Sequence, residues 1–333
     1  MLDEWLVSSL DADPVEPHEG CEGPAGKVPG GRYRLHAPGV LELLPDERAP
    51  EAQACVVSAG IHGNETAPIE LVGAWLSRLE AGQLRLGAPV LVILGNLEAI
   101  RQGVRFCTTN LNRLFQRGLD LEGDEPERAR ELMAVVDAFF ARHALPRVHY
   151  DMHTAIRDSR YPRFAVEPFA ESATDPAQWQ GLAAAGMQAA LHQHRHSWTF
   201  SHYSKHYHAA QAFTLELGKV RPFGENDLDA LSGMLTLLEA LLEGRQIPAG
   251  NLEEVRFFRV VSELMRQSQD FALCFSEETP NFTEFAVGTR LAHDGQAGDT
   301  RVEEAPVAVV FPNAQVELGA RAALLVRACP PPR

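Results

Sequence analysis

The chain has 333 residues, 45% of them hydrophobic and 23% charged, which suits one large globular domain or one large and one small. Its net charge of −15 argues against nucleic acid and against an anionic membrane surface as partners, because both repel an acidic shell. A small anionic substrate stays compatible, since a few arginines and a metal ion can make one cleft positive.

The stretch from Met1 to Asp13 is acidic and lacks the basic start and apolar core of a signal peptide. No apolar run approaches the roughly 18 residues a membrane helix needs. Cys21, Cys55, Cys107, Cys274 and Cys329 are scattered without CxxC pairing and read as free thiols. A cytoplasmic protein is expected. Residues 12–31, rich in Pro, Gly and acidic side chains, read as a mobile or loosely packed arm.

Near-continuous apolar runs then predict central strands at Ala54–Ala59, Pro89–Leu94, Arg147–Met152, Arg163–Glu167 and Ala212–Leu217. Helical stripes lie between them. One carries Leu71, Val72, Trp75, Leu76 and Leu79 and stops at Gly82; another carries Leu132, Val135, Val136, Phe139 and Phe140. A third helix is expected from about Pro176 to His192, and a fourth from about Asn226 to just before Pro248. The alternation predicts an α/β domain over 1–247 with a central mixed, mostly parallel sheet flanked by helices. After Pro248 the segments Val255–Val261, Phe271–Phe275, Ala305–Phe311 and Ala322–Val326 are short and β-prone, so 248–333 reads as a smaller β-rich domain.

The strand Ala54–Ala59 runs into Gly60-Ile61-His62-Gly63-Asn64-Glu65, which sets an imidazole and a carboxylate three residues apart where a strand ends. Both can reach one ion if the first closes a loop and the second opens a helix, and Gly60, Gly63 and Asn64 suit such a turn. His153 also follows a strand, and in open α/β sheets sites gather at the carboxyl ends of strands. Catalytic zinc uses three protein ligands and keeps one position open, so His62, Glu65 and His153 form a candidate zinc site. Glu216 stands inside an apolar strand, where an unpaired carboxylate is costly; a catalytic role beside the metal is a reason to keep it there. His192, His194, His196, His202, His206 and His208 form a second cluster, read as an exposed polar loop or sheet edge, with metal binding as the alternative.

Five segments carry a family resemblance: Ser58-Ala59-Gly60-Ile61-His62-Gly63-Asn64-Glu65-Thr66-Ala67-Pro68; Asn112-Arg113-Leu114-Phe115; Asp151-Met152-His153-Thr154-Ala155-Ile156-Arg157; Thr214-Leu215-Glu216-Leu217-Gly218-Lys219; and Pro222-Phe223-Gly224-Glu225-Asn226-Asp227-Leu228. In this order and spacing they resemble the zinc carboxypeptidase superfamily, in its succinylglutamate desuccinylase and aspartoacylase branch. The resemblance implies a zinc-carboxypeptidase-like fold and one Zn2+ held by His62, Glu65 and His153, with Glu216 as general base. It also implies that Arg105 steadies the oxyanion and that Asn112 and Arg113 hold the α-carboxylate of the amino-acid product. The last three segments lean toward the desuccinylase side. The implied reaction is hydrolysis of an N-acyl amino acid, N-succinyl-L-glutamate to succinate and L-glutamate, the last step of arginine breakdown by succinyl transfer.

Arg157, Arg163 and Lys205 are candidates for the remaining substrate carboxylates. Another acyl substrate such as N-acetylaspartate, a non-catalytic zinc-binding module and metal storage by the histidine-rich stretch are the alternatives. Two positions depart from the family pattern: Asn110 where Asp is common, and Leu97 after Asn96 where Pro is common.

Overall fold

A computed structural model describes residues 2–11 and 25–332. Helix α1 (Leu2–Asp11) docks through the buried Trp5. Strands β1 (Ala25–Val28), β2 (Gly31–Ala37) and β3 (Val40–Pro45) form an antiparallel meander. The expected loose arm is therefore corrected from Ala25 onward, while residues 12–24 lie outside the described part. The glycines there serve packing: a Cβ on Gly26 would lie 2.5 Å from the Tyr33 ring.

The α/β alternation follows. It comprises β4 (Ala54–Ala59), α2 (Thr66–Glu80), β5 (Val90–Leu94), α3 (Leu97–Gln102), α4 (Asp124–Arg142), β6 (Arg147–Ala155) and β7 (Arg163–Glu167). It continues through α5 (Pro176–Ala184), β8 (Ala189–His192), α6 (Phe200–His208), β9 (Gln211–Lys219) and α7 (Ser232–Glu243). The third expected helix is shorter than the sequence suggested. It ends at Ala184 because Gly186 turns the chain at φ +89°, and the apolar residues beyond it become β8. The fourth begins later, after a 3-10 turn at Asp229–Leu231, and stops at the left-handed Gly244. The histidine-rich stretch is neither loop nor sheet edge from Phe200 onward: it is α6, capped by Thr199 and anchored by buried Phe200 and Tyr203.

The C-terminal part is β-rich, with β10 (Arg256–Met265), β11 (Ala272–Leu273), β12 (Thr283–Phe285), β13 (Arg290–Asp294), β14 (Gly298–Arg301), β15 (Val307–Val310) and β16 (Arg321–Ala328). One sheet runs through both parts in the order β1-β2-β3-β5-β4-β6-β9-β7-β8-β10-β16-β15-β12; β11, β13 and β14 form a small second sheet. Its centre, β5-β4-β6-β9, is parallel, and both flanks bring in antiparallel pairs.

Side chains alternate across the central strands, and this sorts chemistry from packing. Cys55, Val57 and Ala59 of β4, Tyr150 and Met152 of β6, and Phe213 and Leu215 of β9 join the core under α2, α5 and α7. The opposite face carries Ser58, His149, Asp151, His153, Thr214 and Glu216, and it lies toward α4 and α6. A one-residue slip would exchange the two sets. In-register pairing sets His153 directly beside Glu216.

Candidate metal centre and active site

The loop after β4 owes its path to two glycines. Gly60 sits at φ +67°, a region that favours glycine, and a Cβ on Gly63 would lie 2.1 Å from the backbone of Ala99 in α3. This close approach brings His62 and Glu65 back over the strand ends, where both are buried. Asn96 caps α3 by accepting from the Ala99 amide at 3.1 Å, so Leu97 in place of Pro still starts a well-capped helix.

Glu65 is the hub. Its two carboxylate oxygens lie 2.8 Å from His62 Nδ1 and 2.8 Å from His153 Nδ1. It also accepts from the Thr154 amide at 2.9 Å and from Arg105 Nη1 at 2.7 Å. Each imidazole offers its other nitrogen to a fixed acceptor, His62 Nε2 to Asn110 Oδ1 at 3.0 Å and His153 Nε2 to Asp151 Oδ2 at 3.1 Å. Such outer partners fix the tautomer and aim the opposite nitrogen inward. Asn110, the departure from pattern, fills this supporting position with an amide oxygen. Asp151 is itself held by Ser58, whose hydroxyl donates to it at 2.6 Å, and Ser58 continues to His149 and Ser204.

Burial pushes the His62 imidazole down to about 4, against the attraction of Glu65, so it is neutral at pH 7 with a lone pair to offer. Burial opposes the charged form of His153 too, but Asp151 and Glu65 outweigh it and raise its pKa. One ligand atom from each of His62, Glu65 and His153 lies within 4.8 Å of the others, so the three could hold one ion. Their chemistry, two imidazoles and a carboxylate, fits zinc.

Glu216 is buried beside them, and its Oε2 has no hydrogen-bond partner. Leaving such an acceptor bare costs roughly 1–3 kcal/mol. Burial first and the neighbouring Glu65 second raise its pKa to about 7. A carboxyl group kept this way at a strand end is a group reserved for proton transfer or for a ligand.

The loop from Gly103 to Asn110 supplies Arg105. It is pinned by Glu125, which accepts from the Cys107 and Thr108 amides at 2.8 and 3.0 Å, and by the Gly63 amide donating to the Arg105 carbonyl at 3.1 Å. Asn110 then caps a 3-10 turn, Leu111–Arg113, which orients Asn112 and Arg113. Asn112 Oδ1 accepts from the Phe200 amide at 3.0 Å, and its Nδ2 lies 3.4 Å from His153 Nε2. Arg113 opens to solvent yet has enough protein around it, with Arg321 and Arg105 nearby, that its pKa falls to about 10. It remains a cation at neutral pH.

Six of the seven candidate residues thus lie in mutual contact or adjacent pairing around Glu65, and Arg113 is bonded to the Asn112 carbonyl at 2.7 Å. The further cation candidates are held elsewhere. Lys205 is buried in a bond to Glu167 at 3.0 Å, Arg163 donates to the Gly186 carbonyl at 3.0 Å, and Arg157 donates to the Pro312 carbonyl at 2.5 Å. Arg321, on the C-terminal part of the sheet, was not among the candidates. No local motif marks it, and only the fold brings its charge near Arg113.

A parallel-centred sheet with this His–Glu–His cluster and buried glutamate at its strand ends is the architecture of the zinc-carboxypeptidase-like α/β proteins. The model of the succinylglutamate desuccinylase/aspartoacylase catalytic domain matches residues 51–242, and that of the AstE/AspA barrel-sandwich hybrid domain matches residues 253–329. A succinylglutamate desuccinylase of Serratia proteamaculans is 40% identical over 317 residues, 92% of this chain and 96% of its own. Solved structures of succinylglutamate desuccinylases are similar throughout. The Vibrio parahaemolyticus protein superposes with a TM-score of 0.88 at 33% identity, covering 97% of this chain and 94% of that one. The Chromobacterium violaceum protein gives 0.84 at 35%, covering 99% and 98%. The chain belongs to the succinylglutamate desuccinylase/aspartoacylase family.

Proposed function

We propose that the protein hydrolyses the amide of N-succinyl-L-glutamate to succinate and L-glutamate with one zinc ion, at the end of arginine breakdown by succinyl transfer. The observation that carries this reading is the convergence of His62, Glu65 and His153 donor atoms within 4.8 Å of one another, beside a buried carboxylate oxygen of Glu216 without a partner. The names of the full-length relatives support the substrate.

Zinc held by these three side chains would supply Lewis acidity and lower the pKa of water there to about 7. Glu216 would take a proton from the attacking water and pass it to the leaving amine nitrogen. Arg105, on a loop pinned at both ends, would face the oxygen on which negative charge develops. Asn112 Nδ2 and the Arg113 guanidinium would hold the α-carboxylate of the glutamate half, the latter by a planar two-bond contact that a lysine cannot copy. The closeness of Arg321 and Arg105 to Arg113 suits a substrate with several carboxylates, because the substrate relieves their mutual repulsion.

Release of glutamate from N-succinyl-L-glutamate, compared with release of aspartate from N-acetyl-L-aspartate, tests the reading. Turnover of the succinyl compound alone is expected. Turnover confined to the acetyl compound, or of neither, would move the protein to another acyl substrate or to a binding role.

A further inference from the structure

The six clustered histidines do not act as one group. His192 pairs with Glu167 at 2.5 Å, His208 pairs with Asp137 at 2.7 Å, and His194 is exposed. The other three converge. His202 and His206 stand one helical turn apart on α6 with their rings stacked, centroids 5.3 Å apart. His196, on the segment before the helix, closes the triangle at 5.0 Å from His202 and 4.9 Å from His206. One ring nitrogen from each lies within 4.8 Å of the others. We infer that His196, His202 and His206 form a second binding site, for a divalent transition-metal cation that prefers imidazole.

The donor chemistry selects the ion. Three imidazoles without a carboxylate suit Zn2+ or Cu2+ and do not suit Mg2+ or Ca2+, which demand oxygen ligands. Burial first, then the neighbouring imidazoles, push His202 down to about 4, and burial lowers His206 in the same way. Both therefore present lone pairs at neutral pH. His196 Nδ1 and His202 Nε2 share a hydrogen bond of 2.8 Å. Tetrahedral bonds of 2.0–2.1 Å set ligand nitrogens roughly 3.3 Å apart, so the triangle needs only a small adjustment to admit an ion.

His202 is fully buried and turns its Nε2 toward His196, while its outer Nδ1 has no partner. Trp198 holds a left-handed backbone at φ +52°, unfavourable for a bulky side chain, and stacks its indole on His196 at 5.3 Å with 19° between the planes. The ring contacts with Trp198, His202 and His206 hold His196 over the helix. His196 and His206 are exposed, which leaves the site open to solvent on one side.

The site shares no side chain with the first cluster, but its loop touches the substrate-side segment. The Trp198 carbonyl accepts from the Phe115 amide at 3.3 Å, and the Phe200 amide donates to Asn112. An ion there would stiffen the support of Asn112.

The test is metal stoichiometry of the full chain, stripped and then titrated with Zn2+ by calorimetry, for the unmodified protein and for His206→Ala. His206 is exposed, so its loss leaves the fold intact; His196→Ala repeats the test from the loop side. Each variant is expected to bind one ion fewer than the unmodified chain in the same concentration range. The weakening should exceed the ~10–100-fold typical of losing an outer-shell partner. Equal stoichiometry and affinity in the unmodified protein and both variants would overturn the site. Because the readout is a difference between proteins that all retain His62, it stands whatever the first cluster binds.

Discussion

Among the described residues, two clusters bring three metal-ligating side chains within reach of one another, and they are built in opposite ways. His62, Glu65 and His153 are all buried, include a carboxylate, and have their outer nitrogens fixed by Asn110 and Asp151. His196, His202 and His206 have one buried member, no carboxylate, and a bare Nδ1 where a supporting acceptor would be. Proximity of donors therefore does not by itself make a reaction centre. The first cluster has what chemistry requires around it, a buried unpaired Glu216 and the cations Arg105 and Arg113, whereas the second has aromatic rings and solvent.

The largest effect that separates the two is expected at Glu216. Glu216→Gln should lower kcat by roughly 10³-fold, the scale of a lost general base, with metal content unchanged. Turnover close to that of the unmodified protein would show that the first cluster differs from the second only in ligands. Next comes Arg113→Lys, which keeps the charge and loses the planar fork. KM should rise by about 10–100-fold with the metal still bound, and an unchanged KM would remove Arg113 from carboxylate recognition.

A smaller effect is expected at Asp151. Asp151→Asn keeps the shape but weakens the acceptor for His153, and metal affinity of the first cluster should fall by about 10-fold with that of the second unaffected. Competition against a chromophoric chelator reads both.

The smallest effect concerns the anchor of α6, the helix that carries the second cluster. Burial alone would raise the Glu167 pKa, but bonds to His192, Lys205 and Thr174 outweigh it and hold the group at about 2 against an ordinary 4.5. A carboxylate held low contributes stability that is complete above pH 4.5 and is lost as pH falls from 4.5 toward 2. Glu167→Gln should thus cost about 1–2 kcal/mol at pH 7 and much less at pH 2.5. Urea unfolding at the two pH values checks this; a cost independent of pH would mean that shape, not charge, holds the anchor.

The legibility of the sequence follows the same division. The strand β4 is apolar along most of its length because both faces are covered, whereas β6 and β9 alternate apolar residues with a polar set, and Glu216 stood out between Leu215 and Leu217. His62 and Glu65 were legible because they stand in the turn that follows β4, and His153 because it lies near the carboxyl end of the neighbouring β6, at the same rim of the sheet. The helix α6 was hidden because its buried side consists of Phe200, Tyr203 and polar residues that serve the core, Ser201, Ser204 and Lys205. Its sequence has no clean apolar stripe. The spacing of His192, His194 and His196 fits one face of a strand, but β8 stops at His192. Arg321 and Asn110 act through contacts between segments distant in the chain, which no local spacing encodes, whereas Asp151 meets His153 two residues along the same strand face. Among the described residues no helix is long and apolar enough to cross a membrane, and four described cysteines are free.

The most direct test of the account is glutamate release from N-succinyl-L-glutamate, measured together with zinc content, before chelation, after chelation and after zinc is restored. The account predicts that activity follows occupancy of the His62, Glu65 and His153 cluster, falling with its zinc and returning with it. Undiminished turnover by protein shown to be free of metal would contradict it.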